Sequence, residues 1–147
     1  MPAPTEGALL DVRHLDKSFG VKIIDDLSVA VADGEALGII GPNGAGKTTL
    51  LNLIAGDLRP DSGTVHFDGV DITDRSSDWR CRSGIGRTSQ IPRPFEGLTV
   101  FENVLTAAVF GHGTPTSESD GTDVAIEALR RADLLRVANT PAGQLPL

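Results

Sequence analysis

An α/β fold follows from two features of this 147-residue sequence. A short, wholly apolar run, Ala36 to Ile40, ends abruptly in GPNGAGKTT, and apolar residues then recur at helical spacing: a strand, a glycine loop and a helix. Ahead of it lie two extended, partly alternating segments separated by Gly20, which read as antiparallel strands.

Taken in order, Met1 to Ala8 form a lead-in, and Leu9, Leu10, Val12, Leu15 and Phe19 begin the first strand. The second, Lys22 to Ala32, interleaves Ile23, Ile24, Leu27, Val29 and Val31 with polar residues and closes at the turn dipeptide Asp33-Gly34. Ala36 to Ile40 is expected to be a buried central strand. Thr49, Leu50, Leu51, Leu53 and Ile54 carry the helix until Gly56 stops it. Thr64 to Phe67 is a strand between the turns PDSG and Asp68-Gly69, appended to the first sheet. Ser77 to Ser83 makes a short helix around Trp79, and Gly84 to Gln90 resumes as a strand with Ile85 inward. Thr99 and Glu102 are spaced for a capping box that opens a helix over Val100 to Phe110. GHGTPTSESDG, residues 111–121, is nearly free of apolar groups and reads as a mobile loop, and Asp123 to Val137 is amphipathic again.

Composition removes several function classes. Twenty acidic residues against 13 basic ones leave a charge of −7, so no basic field gathers nucleic acid or anionic lipid. One cysteine, Cys81, and three scattered histidines exclude a disulfide scaffold and a Cys/His zinc site. No uncharged apolar run approaches the roughly 20 residues that span a bilayer, so membrane contact is expected through a partner and not by insertion.

The chemistry gathers at Gly41-Pro42-Asn43-Gly44-Ala45-Gly46-Lys47-Thr48-Thr49, which fits G-x-x-x-x-G-K-[ST]. Glycines let the backbone curl so that NH groups from about Asn43 to Thr49 face one phosphate-sized concavity, at the positive end of the helix. Lys47 is placed to bridge the β- and γ-phosphates of ATP, and the Thr48 hydroxyl to ligate Mg2+. Kinases, GTPases and transport ATPases share such a loop.

What separates them is the continuation. GPNGAGKTTLLNLIAGDLRPDSGTVHFDGVDI resembles the ABC-type ATPases nearly without gaps, and the resemblance runs from about Leu9 to the end. It implies a P-loop core with an antiparallel β appendage: an ATP-binding core over 9–90 and the start of a helical subdomain over 91–147. It also implies that Phe19, before Gly20, stacks on adenine. The family more often has Tyr there, and Phe supplies the same face, worth about 1 kcal/mol. Gln90, closing GIGRTSQ, is implied to ligate Mg2+ or its water and to start the loop that reports nucleotide state to a neighbouring subunit. The next segment, Ile91 to Val104, is similar to the branched-chain amino acid uptake ATPases in its Arg87-Thr88-x-Gln90 strand end and its Leu98-Thr99-Val100-x-Glu102-Asn103 helix start.

The family's signature, its later acidic strand with the catalytic Glu, and its switch histidine have no counterpart here, and Ile23-Ile24-Asp25-Asp26, which imitates the acidic strand, comes before the loop. The chain is therefore expected to be the N-terminal part of a longer subunit, binding nucleotide without turning it over alone, and its exposed apolar surface is expected to make it self-associate, exchange elements between copies or be only marginally stable. The whole subunit is expected to dimerise with a second ATPase subunit beneath transmembrane permease subunits, at the cytoplasmic face of the plasma membrane. A soluble ABC ATPase of translation or DNA repair is the alternative.

Overall fold

Strand β1 (Ala8–Ser18) and strand β2 (Lys22–Ala32) form a long antiparallel hairpin in the computed structural model, which describes residues 7–111 and 118–145. Strand β3 (Ser62–Phe67) pairs with the other edge of β1, and the two-residue β4 (Val70–Asp71) folds back on it through the Asp68-Gly69 turn. The sheet order is β2-β1-β3-β4, antiparallel throughout. The expected hairpin and its appended strand are both present. Asp25 and Asp26 are both exposed on β2, paired with Lys22 and His14.

Helix α1 (Lys47–Ala55) follows the glycine loop and ends where Gly56 takes a left-handed φ of 83°. Its apolar residues Leu50 and Leu53 join Val12, Leu15, Ile24, Val65 and Ile72 in a buried core. Helix α2 (Ser77–Arg82) follows, with Trp79 under the Arg75 guanidinium and Cys81 exposed.

The chain divides into two compact units, one up to Arg80 and one from Cys81. In the second, helix α3 (Val100–Phe110) begins with the expected capping box: Thr99 Oγ1 accepts from the Glu102 NH, and the Glu102 carboxylate accepts from the Thr99 NH. Helix α4 (Glu118–Arg131) packs on α3 where Gly121 leaves room, since a Cβ there would lie 2.7 Å from Val109 Cγ2. A bridge between Thr99 and Pro141 ties the start of α3 to residues 138–143.

Three expectations are corrected. Ala36 to Ile40 is not a buried strand: among the described residues no strand pairs with it, and Ile40 is 97% exposed. A parallel strand needs neighbours on both edges and cover on both faces, and apolar composition supplies neither. Gly84 to Gln90 is irregular and mostly exposed for the same reason. The loop expected over 111–121 is shorter, because α4 already begins at Glu118; residues 112–117 lie outside the described ones, as do residues 1–6 of the lead-in. No helix among the described residues is long and apolar enough to cross a membrane.

Candidate functional site

The glycine loop curls as its composition requires. Gly44 and Gly46 both take φ of 83°, and the Ala45 NH donates to the Pro42 carbonyl across the turn. A Cβ on Gly41 would come within 3.3 Å of the Ala45 methyl. Gly46 is buried against β2, where a Cβ would stand 2.9 Å from Ile24 Cδ1 and 3.0 Å from the Ile23 carbonyl oxygen. Only glycine fits there on both counts, left-handed backbone and space.

Lys47 reaches back over the loop it follows. Its Nζ donates 2.7 Å hydrogen bonds to the carbonyls of Gly41 and Pro42, so the ammonium spans the loop's opening. Asn43, Gly44 and Ala45 line the exposed rim, the Thr48 side chain is exposed beside them and Thr49 is half-buried.

The starts of α1 and α3 differ in one respect that bears on ligands. At α3 the orphan NH groups are taken by the chain's own side chains, Thr99 and Glu102. At α1 the N-cap is Gly46, no side chain caps it, and no acidic residue sits in the first turn. The first-turn NH groups of a helix have no intrahelical partner and carry the positive end of its dipole. With a lysine ammonium held across the same loop, α1 presents donors and positive charge with no internal anion competing. This fits a polyphosphate. For a divalent cation the Thr48 hydroxyl is an accessible oxygen, and among the described residues no cluster of three or more His, Cys, Asp or Glu side chains offers a complete protein site. A metal here would take further ligands from phosphate and water.

Sequence reasoning missed what holds the far end of α1. The Asn52 carbonyl accepts from the NH groups of Gly56, Asp57 and Leu58. The next two, Leu53 and Ile54, accept at 2.8 Å from Nη1 of Arg80, a fully buried side chain that also donates to the carbonyls of Thr73 and Arg75. Burial pushes the guanidinium below its ordinary value while Asp71 and Asp74 pull it back up. A cation at a helix C-terminus complements the dipole. The local signal, an arginine in DWRCR, is that of a surface helix.

Of the remaining sequence-predicted residues, Phe19 stands at the tip of the β1–β2 hairpin, 56% exposed and outside the core. Gln90 is exposed in the irregular stretch of the second unit. Downstream of it, Asn103 holds the segment before α3: Oδ1 accepts from the Phe95 NH at 2.8 Å, and Nδ2 donates to the carbonyls of Phe95 and Thr99.

Residues 24–146 match the family model described as ABC transporter. A probable branched-chain amino acid transport ATP-binding protein of Archaeoglobus fulgidus is 43% identical over 100 residues, 67% of this chain and 39% of that protein. A lipopolysaccharide export system ATP-binding protein of Haemophilus influenzae is 35% identical over 122 residues, 82% of this chain and 51% of that protein. Among solved structures, a dimeric post-hydrolysis ATP-binding cassette bound to ADP and Pi superposes with a TM-score of 0.80 at 27% identity, covering 93% of this chain and 63% of that one. The chain thus spans well under two thirds of the transport protein's length. With a family match over most of the chain, the glycine loop and the open start of α1, the chain belongs to the ABC transporter family of ATP-binding proteins.

Proposed function

We propose that this chain holds ATP and Mg2+ for a subunit that hydrolyses ATP to power solute import, with branched-chain or related amino acids as the cargo. The observation that carries nucleotide binding is the uncapped start of α1 beneath the Lys47 ammonium. The backbone from Asn43 to Thr49 takes the phosphates, with Gly41, Pro42, Gly44, Ala45 and Gly46 giving the loop its curve. Lys47 exchanges its two carbonyl partners for β- and γ-phosphate oxygens, Thr48 ligates the metal and Phe19 stacks on the base. Mg2+ held there by Thr48 would neutralise charge developing on the transferred phosphate. Gln90 ligates the metal or its water and couples the site to a neighbouring subunit.

The import reading is supported by the 43% identity to the transport protein of Archaeoglobus fulgidus and by the Arg87-Thr88-x-Gln90 and Leu98-Thr99-Val100-x-Glu102-Asn103 segments. A second reading, lipopolysaccharide export, is supported by the longer match to the Haemophilus influenzae protein. In either case we place the subunit in a dimer with a second ATPase subunit, against membrane permease subunits at the cytoplasmic face. The dimeric cassette is the structural support for the pairing. Two experiments test the reading. Calorimetry with Mg-ATP should show Lys47→Ala losing at least about tenfold in affinity, the scale of one charge-assisted contact to phosphate. Unchanged affinity would end the phosphate assignment. Co-purification of the subunit with a permease, followed by uptake of labelled leucine into vesicles, separates import from export.

A further inference from the structure

We propose that Lys17 and Asp61 form a positioning pair for Phe19, fixing the ring so that one face carries a cation and the other is left for a purine base. The proposal rests on the reading of Phe19 as the base-stacking residue. It begins with the hairpin tip, where β1 ends at Ser18 and β2 starts at Lys22. Phe19, Gly20 and Val21 make the turn, with Gly20 at a φ of 75° and the Phe19 NH donating to the Val21 carbonyl. An exposed phenylalanine at such a tip would ordinarily rotate freely. Here Lys17 Nζ lies over the ring, 5.5 Å from its centroid.

That ammonium is itself held. Lys17 Nζ donates to Asp61 Oδ1 at 2.7 Å, and the Lys17 side chain is only 15% exposed. The other oxygen, Asp61 Oδ2, accepts from the Ser18 NH at 2.7 Å, the peptide next to the ring. The Asp61 NH in turn donates to the Asp16 carbonyl, tying the carboxylate's own backbone to β1. One carboxylate therefore sets both the cation over the ring and the backbone that carries the ring. The Lys17 ammonium and then the Ser18 NH keep the Asp61 carboxyl below its ordinary value.

The same rung adjoins the phosphate loop. Lys17 pairs across the hairpin with Ile24, and it is Ile24 Cδ1 that would meet a Cβ on Gly46. A cation on one face draws π density from a ring, which favours an electron-rich, extended partner on the opposite face. The selectivity implied is purine over pyrimidine. It is not adenine over guanine, because a phenyl ring reads no exocyclic group.

The test is calorimetric titration of the 147-residue chain with Mg-ATP, Mg-GTP, Mg-CTP and inorganic tripolyphosphate. ATP and GTP should bind alike and CTP more weakly. Lys17→Met and Asp61→Asn should each weaken ATP by about two- to fivefold, the scale of an exposed cation–π contact, with tripolyphosphate unchanged and Lys17→Arg close to wild type. In a Phe19→Ala background, Lys17→Met should have no further effect, since the two act as one unit. The proposal fails if Lys17→Met leaves ATP affinity intact, weakens tripolyphosphate as much as ATP, or acts fully without the ring. If Phe19→Ala leaves ATP affinity intact, the stacking role falls and the pair with it. If Phe19→Ala weakens ATP while Lys17→Met does not, the pair falls alone.

Discussion

Replacing Arg80 with methionine removes four hydrogen bonds while keeping a side chain of similar reach. Two of the four acceptors, the Leu53 and Ile54 carbonyls, belong to the last turn of α1, where no backbone NH among the described residues takes them. Leaving a buried acceptor unsatisfied costs about 1–3 kcal/mol. Counting only these two, and allowing for the desolvation cost that the lost guanidinium no longer bears, the substitution should destabilise by about 2–4 kcal/mol. With a urea slope of about 2 kcal/mol/M, that moves the midpoint down by about 1–2 M. Trp79 is the only tryptophan of the chain and sits one residue away in α2, so its fluorescence follows the right element. Arg80→Lys should recover part of the loss, since an ammonium reaches one or two of the carbonyls but not all four. A midpoint within about 0.3 M of wild type for Arg80→Met would refute the capping role.

Other substitutions probe the loop, the second unit and the charge network. Gly46→Ala forces a Cβ to 2.9 Å from Ile24 Cδ1 at a φ of 83°, so it should cost about 1–3 kcal/mol and weaken ATP binding in calorimetry; a variant that melts and binds as wild type contradicts the geometry. Thr99→Ala opens the capping box of α3 and should lower helix stability by about 1 kcal/mol, read by the midpoint of circular dichroism at 222 nm, and an unmoved midpoint would count against it. The Asp16 carboxyl is held down from 3.8 to about 2 by the Ser62 hydroxyl, then the Asp26 NH and the Lys22 ammonium. Its contribution is complete above pH 3.8 and is lost as pH falls toward about 2, so the urea midpoint of wild type should drop through that window more steeply than that of Asp16→Asn; parallel acid limbs would refute it.

Elements whose cause is local were legible in the sequence. The β1–β2 hairpin follows from alternation around Gly20, α1 stops at the glycine that can turn left-handed, and the Thr99–Glu102 spacing places the start of α3 at the right residue. The errors share a physical origin. Ala36 to Ile40 and Gly84 to Gln90 have strand-like patterns, but a strand exists only when a neighbour supplies hydrogen bonds, and pattern carries no information about neighbours. Arg80 escaped because its partners on α1 lie more than 25 residues back in the chain, at helix carbonyls with no side-chain signature. At the site itself, the loop's residue types were readable. That Gly46 leans on β2, and that Lys17 lies over Phe19, were not.

The lean of Gly46 on Ile23 and Ile24 makes the hairpin a thermodynamic reporter for the loop. Any opening of β2 that frees Ile24 also releases the wall against which the loop is folded. A ligand that binds only the folded loop must be expelled before such an opening, and at a hundred times its dissociation constant it suppresses that opening by about a hundredfold. Amide protons along β1 and β2 would then exchange more slowly in the presence of tripolyphosphate, including those opposite Leu15 and Val12 that no phosphate could touch. Protection of this kind needs no movement of the strands. The hairpin senses an anion through the population of its own open states.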